Sequence, residues 1–546
     1  MTADDTLVTA LEQQAAEHGD KFLAFPDTGE RITTAELARA SALSAAGLRD
    51  RGVPEDRVVG LLTPTGPAFF TAFFGVLRTG CAAAVLPLPW GDARTRAERL
   101  VPLLDAGGIR HLLVAPSYRD CADRLRALRP GLAVIPLDER GARPHHGSGR
   151  ADALAVLQLT SGSTSAPKGV RLTHRAYLHG VRSTARSWGI TTRDTWVGWM
   201  PHFHDFGLVT ALAQLLHGGD QHQFAPMTAM RSPLRFLRHL AEQRGTATAG
   251  PNFFYDRLAE AAAADPRAVA ELDLTALRLG VNGAEPVRPA TLDSFDRALA
   301  PAGARPHLVR PAYGLAEATL VATMARPGPR PRVEHLDRAL LADHGRARLL
   351  PPDAPGGKAL ASVGTPVEDL RLRIADPRGR PCPDGTLGEV QLQGPMLTTG
   401  YHRHPEATRE LFDGPWLRTG DLGFLLDGEL FVAGRAKDMI IVRGVNHFPE
   451  DVEAAARSVP GVHRGRCVAF AVEPTEPGEH LVLVAETLPA ERTPELRQLL
   501  TAAVREQTGL AEVEVRLAPP GWIPRTSSGK WQRATARARL ADTRLT

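Results

Sequence analysis

Leu157, Gln158 and Leu159 run into Thr160-Ser161-Gly162-Ser163-Thr164-Ser165-Ala166-Pro167-Lys168-Gly169, a stretch of hydroxyls and glycines that closes on a lysine. A strand feeding such a loop suits an anion: successive backbone N–H groups form a nest, the hydroxyls donate further hydrogen bonds, and Gly162 and Gly169 allow close approach. It is not a Walker A loop, because the GK[ST] ending is absent and Lys168 follows a proline. Taken alone, the stretch also fits a polar turn. Lysine is scarce in this chain, which sharpens the choice: of the 65 basic residues only Lys21, Lys168, Lys358, Lys437 and Lys530 are lysine. Where any cation would serve the chain uses arginine, so a lysine in a loop motif points to a need for a compact ammonium on a flexible stem.

Arg418-Thr419-Gly420-Asp421 follows an apolar β segment, and Gly434-Arg435-Ala436-Lys437-Asp438 follows a predicted hairpin. An aspartate on a rigid strand end can accept both hydroxyls of a ribose, and the short Gly-Arg-x-Lys-Asp link can serve as a hinge between domains. A surface carboxylate and an exposed linker are the alternatives for each in isolation. Near the C-terminus, Pro524-Arg525-Thr526-Ser527-Ser528-Gly529-Lys530 places the last lysine on a flexible loop. From there a cation could swing onto a developing negative charge when domains close; an exposed tail lysine is the plainer reading.

These loops need elements to hold them. Thr33-Thr34-Ala35-Glu36 has capping-box spacing and opens a helix toward Gly47, and 57–62 reads as a buried strand. Short apolar runs at 111–116 and 132–137, with helical stretches over 95–104 and 122–128, continue an alternation that suits parallel strands with crossover helices. The region 326–366 breaks the pattern: proline- and glycine-rich pieces bracket a short helix-like stretch, 336–341, and predict a surface insertion. Strands then follow at 389–393, 424–426 and 429–432, the last two joined by Asp427-Gly428, a strong hairpin signal. From Met439 onward strands (439–443, 467–472, 481–486, 513–517) mix with helices (449–458, 494–506), as in a separate α+β lid.

Composition bounds the rest. With 546 residues, 43% hydrophobic and 23% charged, the chain can bury large cores in at least two domains. A net charge of +4 with no basic stripe gives nucleic-acid binding little support. Cys81, Cys121, Cys382 and Cys467 lie too far apart for a CxxC motif and read as buried thiols. The acidic start Met1-Thr2-Ala3-Asp4-Asp5 is unlike a signal peptide, and the apolar run 68–77 ends at Arg78 before it could span a bilayer, so a cytoplasmic location without a membrane span is expected.

Taken together and in this order, the motifs resemble the adenylate-forming superfamily of acyl- and aryl-CoA synthetases, peptide-synthetase adenylation domains and luciferases, over almost the whole chain. Within it the sequence is most similar to the fatty acyl-AMP ligases. The residues that carry this are Trp199-Met-Pro-His-Phe-His204-Asp205-Phe-Gly207, Gly250-Pro-Asn252-Phe253, Asn282-Gly283-Ala284-Glu285-Pro286, Tyr313-Gly314-Leu-Ala-Glu317-Ala-Thr319 and Arg443-Gly-Val-Asn446-His447. The resemblance implies an α/β fold. It would have a large N-terminal domain, 1–434, of two α/β subdomains plus a β-rich subdomain, and a smaller mobile α+β C-terminal domain, 435–546, hinged near Lys437.

The resemblance also implies roles. The catalytic positions would be Lys530, His204 and Glu317, with Lys530 bridging the carboxylate and the α-phosphate during adenylation and Glu317 holding Mg²⁺. ATP or AMP would meet Thr160, Ser161, Gly162, Ser163, Thr164, Lys168, Gly283, Ala284, Glu285, Tyr313, Gly314, Asp421 and Arg435. Tyr313 would stack on adenine, Asp421 take the ribose, and Thr164 and Lys168 steady the departing phosphates. Phe203, Phe206, Asn252, Phe253 and Phe254 would form the substrate pocket. The chemistry would be ATP-dependent adenylation of an acid with pyrophosphate release, then transfer to a carrier protein. No carrier domain follows Lys530, so that carrier is expected in trans. The 326–366 segment stands where this branch carries an insertion thought to hinder CoA thioester formation. The sequence departs from the branch at Phe206, where Met is usual, and at Phe254, where Ala is common. Either added ring would shorten an acyl tunnel it faced, since a filled volume cannot also hold methylenes. A small aromatic acid, an oxyacid such as nitrite coupled to an amine acceptor, or a CoA ligase therefore stay open.

Overall fold

The structure, a computed structural model, describes residues 5–160, 167–442, 445–472, 480–510, 512–525 and 531–542. Lys530 and the loop residues Ser161, Gly162, Ser163 and Thr164 lie outside the described residues, as do Arg443 and Gly444.

Two open sheets form the large N-terminal part. A six-stranded sheet runs Ala133–Pro136, His111–Val114, Val58–Leu62, Ala82–Val85, Leu154–Thr160, Lys168–Thr173, parallel except for the last pair. A nine-stranded sheet has the parallel run Val309–Gly314, Leu279–Asn282, Ala247–Gly250, Trp196–Gly198, Gln221–Gln223 at its centre. The expected alternation holds because each crossover helix presents an apolar face. Pro67–Arg78, for example, buries Phe69, Phe70, Phe73 and Phe74 in a core shared by both sheets. The capping box also forms: the Thr33 hydroxyl accepts the Glu36 N–H, and the Glu36 carboxylate accepts the Thr33 N–H at 2.8 Å, opening the helix Thr34–Asp50.

A five-stranded antiparallel sheet follows, with Trp416–Leu426 and Glu429–Arg435 joined at Asp427 and Gly428, both at positive φ (51° and 79°) as a two-residue hairpin turn demands. The smaller C-terminal part pairs Cys467–Val472, His480–Glu486 and Glu514–Ala518 in one sheet beside the hairpin strands Ile440–Val442 and Val445–His447. Helices Pro449–Arg457, Pro494–Thr508 and Arg533–Asp542 complete it.

Two expectations are corrected and one is made specific. The 326–366 segment, expected as a surface insertion, is folded. It forms the strand Val333–Asp337, the helix Arg338–His344 and the strand Gly357–Ala361. Leu336 and Leu341 are fully buried in a small core with Phe424, Phe431 and Phe448. Its helix starts later than 336 because Asp337 is the N-cap, accepting the Leu340 N–H at 2.9 Å. Asp421 sits inside the long strand Trp416–Leu426, opposite Arg435, rather than at a strand end. Cys81, Cys121 and Cys467 are buried thiols, but Cys382 is only half-buried.

Candidate active site

In an open α/β sheet the carboxyl ends of the parallel strands face a crevice where ligands bind. The sequence motifs collect there. Past the strand Leu279–Asn282 the chain passes Gly283 and turns at Ala284, which holds a positive φ of 69°. A Cβ on Gly283 would stand 3.0 Å from the Ala312 carbonyl oxygen, so any larger residue would push this loop off the strand Val309–Gly314 by a few tenths of an ångström. At the end of that strand a Cβ on Gly314 would sit 1.7 Å from the Leu320 carbonyl oxygen.

Tyr313 donates its hydroxyl to Asp421 Oδ2 at 2.7 Å, and Arg435 Nε donates to Oδ1 of the same carboxylate at 2.8 Å. Burial, then the Asp421 charge, pushes the Tyr313 phenol well above its ordinary range, so it stays a donor. The Asp421 charge in turn raises Arg435 above the usual guanidinium value. Three residues assigned separately to the nucleotide thus form one clamp.

Glu317 lies on the short turn Ala316–Ala318 that follows. Next comes Thr319 at φ 65° and ψ −56°, a conformation costly for a β-branched residue. Its hydroxyl donates to the Met396 carbonyl at 2.8 Å and pins the turn. The Glu317 carboxylate accepts the Tyr401 hydroxyl at 2.7 Å, and Lys168 Nζ stands 4.9 Å from the centre of the Tyr401 ring. Tyr401 reaches this place because its segment is laced to the strand Lys168–Thr173, with the His402 N–H donating to the Gly169 carbonyl at 2.8 Å and the Arg171 N–H to the Gly400 carbonyl at 3.0 Å. Thr160 joins the same edge, its hydroxyl 3.3 Å from the Lys168 carbonyl. The charges of Arg435, Asp421 and Lys168 all reach Lys437, on the turn Ala436–Asp438.

The residues expected to meet the acid begin at His204, which stands at the N-cap position of the helix Asp205–His217. Gln158, on the strand Leu154–Thr160, donates to the Phe203 carbonyl at 2.8 Å and so ties that strand to the His204 motif. Asn252 is a buried stitch. Its amide donates to the Pro286 carbonyl at 2.8 Å, while its oxygen accepts the Arg288 N–H at 3.0 Å and the Asn282 amide at 3.1 Å. It holds the helix Asn252–Ala264 against the Gly283–Glu285 loop rather than lining an open pocket. Phe253 N–H lies 3.4 Å from Glu285 Oε1. Phe206 and Phe254 are both buried, but not together: Phe254 stacks on Trp199 at 4.7 Å, whereas Phe206 meets Trp188 at 6.5 Å. On the C-terminal side, Arg525 stacks on Trp531 at 3.8 Å, flanking the 526–530 segment, and the Glu285 charge acts on it. Tyr401 was not named from the sequence, and Thr319 and Arg525 stood only inside longer motifs with no role of their own.

Among the described residues no cluster of three His, Cys, Asp or Glu is arranged to hold an ion. Mg²⁺ bound mainly through phosphates needs only one or two protein carboxylates, and the Glu317 carboxylate, held by Tyr401, would fit such a role.

This geometry and fold define an adenylate-forming enzyme, and comparison with known proteins agrees. The pattern of the AMP-binding enzymes matches residues 11–402. A medium-chain-fatty-acid–[acyl-carrier-protein] ligase, JamA of Moorena producens, is 33% identical over 98% of this chain and 95% of its own. A 4-hydroxyphenylalkanoate adenylyltransferase of Mycobacterium marinum is 35% identical over 98% and 91%. A solved structure from structural and functional studies of fatty acyl-adenylate ligases from E. coli and L. pneumophila superposes with a TM-score of 0.92, 28% identity and 98% coverage of both chains. The chain belongs to the AMP-binding enzyme family, and within it is similar to the fatty acyl-AMP ligases.

Proposed function

We propose that the protein joins an acid to AMP at the expense of ATP and then passes the acyl group to the thiol of a carrier protein. A carboxylate oxygen attacks the α-phosphorus, the bond from that phosphorus to the bridging oxygen breaks, and pyrophosphate leaves with the electron pair. Such a step asks the protein mainly to position two anions and offset their repulsion. In this reading the Asp421 carboxylate takes the ribose, with Tyr313 and Arg435 fixing its orientation. Lys168 and the 161–164 loop hold the departing phosphates, and Lys530 covers the charge developing between acid and phosphate. Glu317, held by Tyr401, would meet Mg²⁺, which supplies further neutralisation of the phosphates when bound.

The observation that carries this reading is the meeting of two assemblies, Tyr313–Asp421–Arg435 and Glu317–Tyr401–Lys168, at the strand ends of one cleft. The names of the relatives, a carrier-protein ligase and an adenylyltransferase, support it. We further propose that residues from 435 onward act as a lid hinged at Lys437. The folded insertion would restrain it, which favours a carrier protein over CoA as acceptor. Lys358 of the insertion pairs with Asp451 at 2.8 Å, and Asn446 donates its N–H to Asp343 at 3.0 Å. Isotope exchange between pyrophosphate and ATP, measured with fatty and aromatic acids and with nitrite, tests adenylation. Thioester formation with CoA or a loaded carrier protein tests the acceptor. Exchange with none of the acids defeats the reading.

A further inference from the structure

Behind the cleft, one face of the nine-stranded sheet is filled by a continuous file of rings. Phe253, half-buried, meets Trp199 edge-on at 6.0 Å, and Trp199 stacks on Phe254 at 4.7 Å. Phe254 meets Phe236 at 5.2 Å, Phe236 meets Phe224 at 5.4 Å, and Phe224 meets His239 at 5.0 Å. The far end is the His239–His222 pair, its ring nitrogens 3.0 Å apart. Phe224, Phe236 and Phe254 are at most 1% exposed, so not even water reaches them. The file is backed by the helices Pro233–Glu242 and Asn252–Ala264, and Phe254 is seated against Gly250, where a Cβ would lie 2.6 Å from its ring.

The other face is closed independently. Ala247 pairs with Trp196, so Gly250, three residues on, faces away from Trp196; His222 pairs with Val197 and shares the Gly250 face. Trp196 therefore lies across the sheet from Phe254. There it stacks on Trp188 at 5.7 Å, and Trp188 abuts Phe206, which is 7% exposed. The two bulky departures in the sequence thus occlude opposite sides of one sheet.

We infer that the acid-binding pocket ends at Phe253 and Trp199, and that the substrate is a compact acid, no longer beyond its carboxylate than a single aromatic ring. This inference rests on the adenylation reading and narrows it. A packed interior resists inserted methylenes, because overpacking forces side chains off their rotamers. A long chain would have to displace the Phe254–Phe236 contact on one face or the Trp188–Phe206 contact on the other.

The test is the profile of pyrophosphate exchange for the full chain across straight-chain acids from acetate to palmitate and across benzoic and phenylacetic acids. Binding of benzoyl- and lauroyl-sulfamoyladenosine is measured beside it by calorimetry. Compact acids should give kcat/KM at least about tenfold above laurate, and the benzoyl analogue should bind at least about tenfold more tightly than the lauroyl one. Phe254→Ala should raise laurate relative to benzoate, and Phe254→Leu should do so more weakly if the alanine variant does not fold. Laurate equal to or better than every compact acid overturns the inference while leaving adenylation intact. So does an unchanged chain-length profile in a folded Phe254 variant. Exchange with no acid fails the adenylation reading instead, and the two analogues then still decide the pocket: equal affinities overturn its short length.

Discussion

Lys358 Nζ lies 2.8 Å from Asp451 Oδ1, with the two side chains 7% and 9% exposed, and this ion pair joins the insertion to the first helix of the C-terminal part. Arg338 reaches the same carboxylate at 3.5 Å, and the ammonium also sits 4.3 Å from the centre of the Phe448 ring. Removing one partner of a buried pair leaves an uncompensated charge, which costs about 3 to 5 kcal/mol, whereas replacing both by apolar residues can be neutral. Lys358→Met should therefore lower unfolding stability in urea by about that amount, softened by Arg338, and Lys358→Met with Asp451→Leu should recover most of it. A loss in the double variant equal to the sum of the losses in Lys358→Met and Asp451→Leu alone would show that the pair is not coupled. If the pair restrains the lid, the double variant should also gain CoA thioester formation in an otherwise inactive assay.

Tyr401 gives the second prediction, through the metal. Its hydroxyl makes a charge-assisted hydrogen bond to Glu317 at 2.7 Å, a type worth about 1.5 to 3 kcal/mol. Tyr401→Phe leaves the ring under Lys168 but frees the carboxylate to wander. Adenylation by this variant should need several-fold more Mg²⁺ for half-maximal rate and approach the wild-type rate at saturation. Glu317→Gln should not be rescued by Mg²⁺. Identical Mg²⁺ titrations for wild type and Tyr401→Phe would separate Glu317 from the metal.

Local signals were legible in the sequence and relations across the sheets were not. The Asp427-Gly428 turn and the Thr33–Glu36 capping box are written in adjacent residues, and both form as expected. Gly283 and Gly314 could be named only through the family resemblance, and the close backbone approach that constrains them is seen only in the folded chain. By contrast, nothing near Tyr401 in sequence announces Lys168, since their meeting depends on a β-type lacing between segments more than two hundred residues apart. Whether Phe206 and Phe254 act on one tunnel or two could not be read either, because the answer depends on strand register. The insertion hid its core for the same reason: Leu336 and Leu341 are buried only once Phe424, Phe431 and Phe448 have been brought to them.

His202 makes acid stability a third test. It is stacked on Phe69 at 4.6 Å, and neither ring nitrogen has a hydrogen-bond partner among the described residues. Burial lowers it from 6.5 to about 3. The unfolded chain therefore binds this proton more readily, so the stability it contributes is full above about pH 6.5 and is lost as pH falls toward 3. Buried His174 and His222, each lowered to about 4, act in the same direction. His202→Leu removes one such group. Its stability advantage over wild type should be larger at pH 5 than at pH 8 by about 2 kcal/mol, read from urea unfolding at both values. A pH-independent difference would mean that the ring titrates in the folded protein as it does in the unfolded chain, and so is not held neutral by burial.

The last prediction concerns Lys530, whose position is approached through its neighbours. Arg525 and Trp531 stack at 3.8 Å on either side of the 526–530 segment, and Arg525 lies within the field of Glu285, on the loop that borders the cleft. Lys530, one of only five lysines in the chain, lies outside the described residues, and its role is proposed from the sequence motif. An electrostatic partner used in the transition state, rather than in binding, should affect kcat and leave nucleotide affinity alone. Lys530→Ala should keep ATP binding by calorimetry within a few-fold while lowering adenylation at least about tenfold. Arg525→Ala, which removes a neighbouring charge but no proposed contact with the reacting atoms, should cost much less. Near-normal turnover in Lys530→Ala, or equal losses in the two variants, would assign the segment a general electrostatic effect instead of a directed cation.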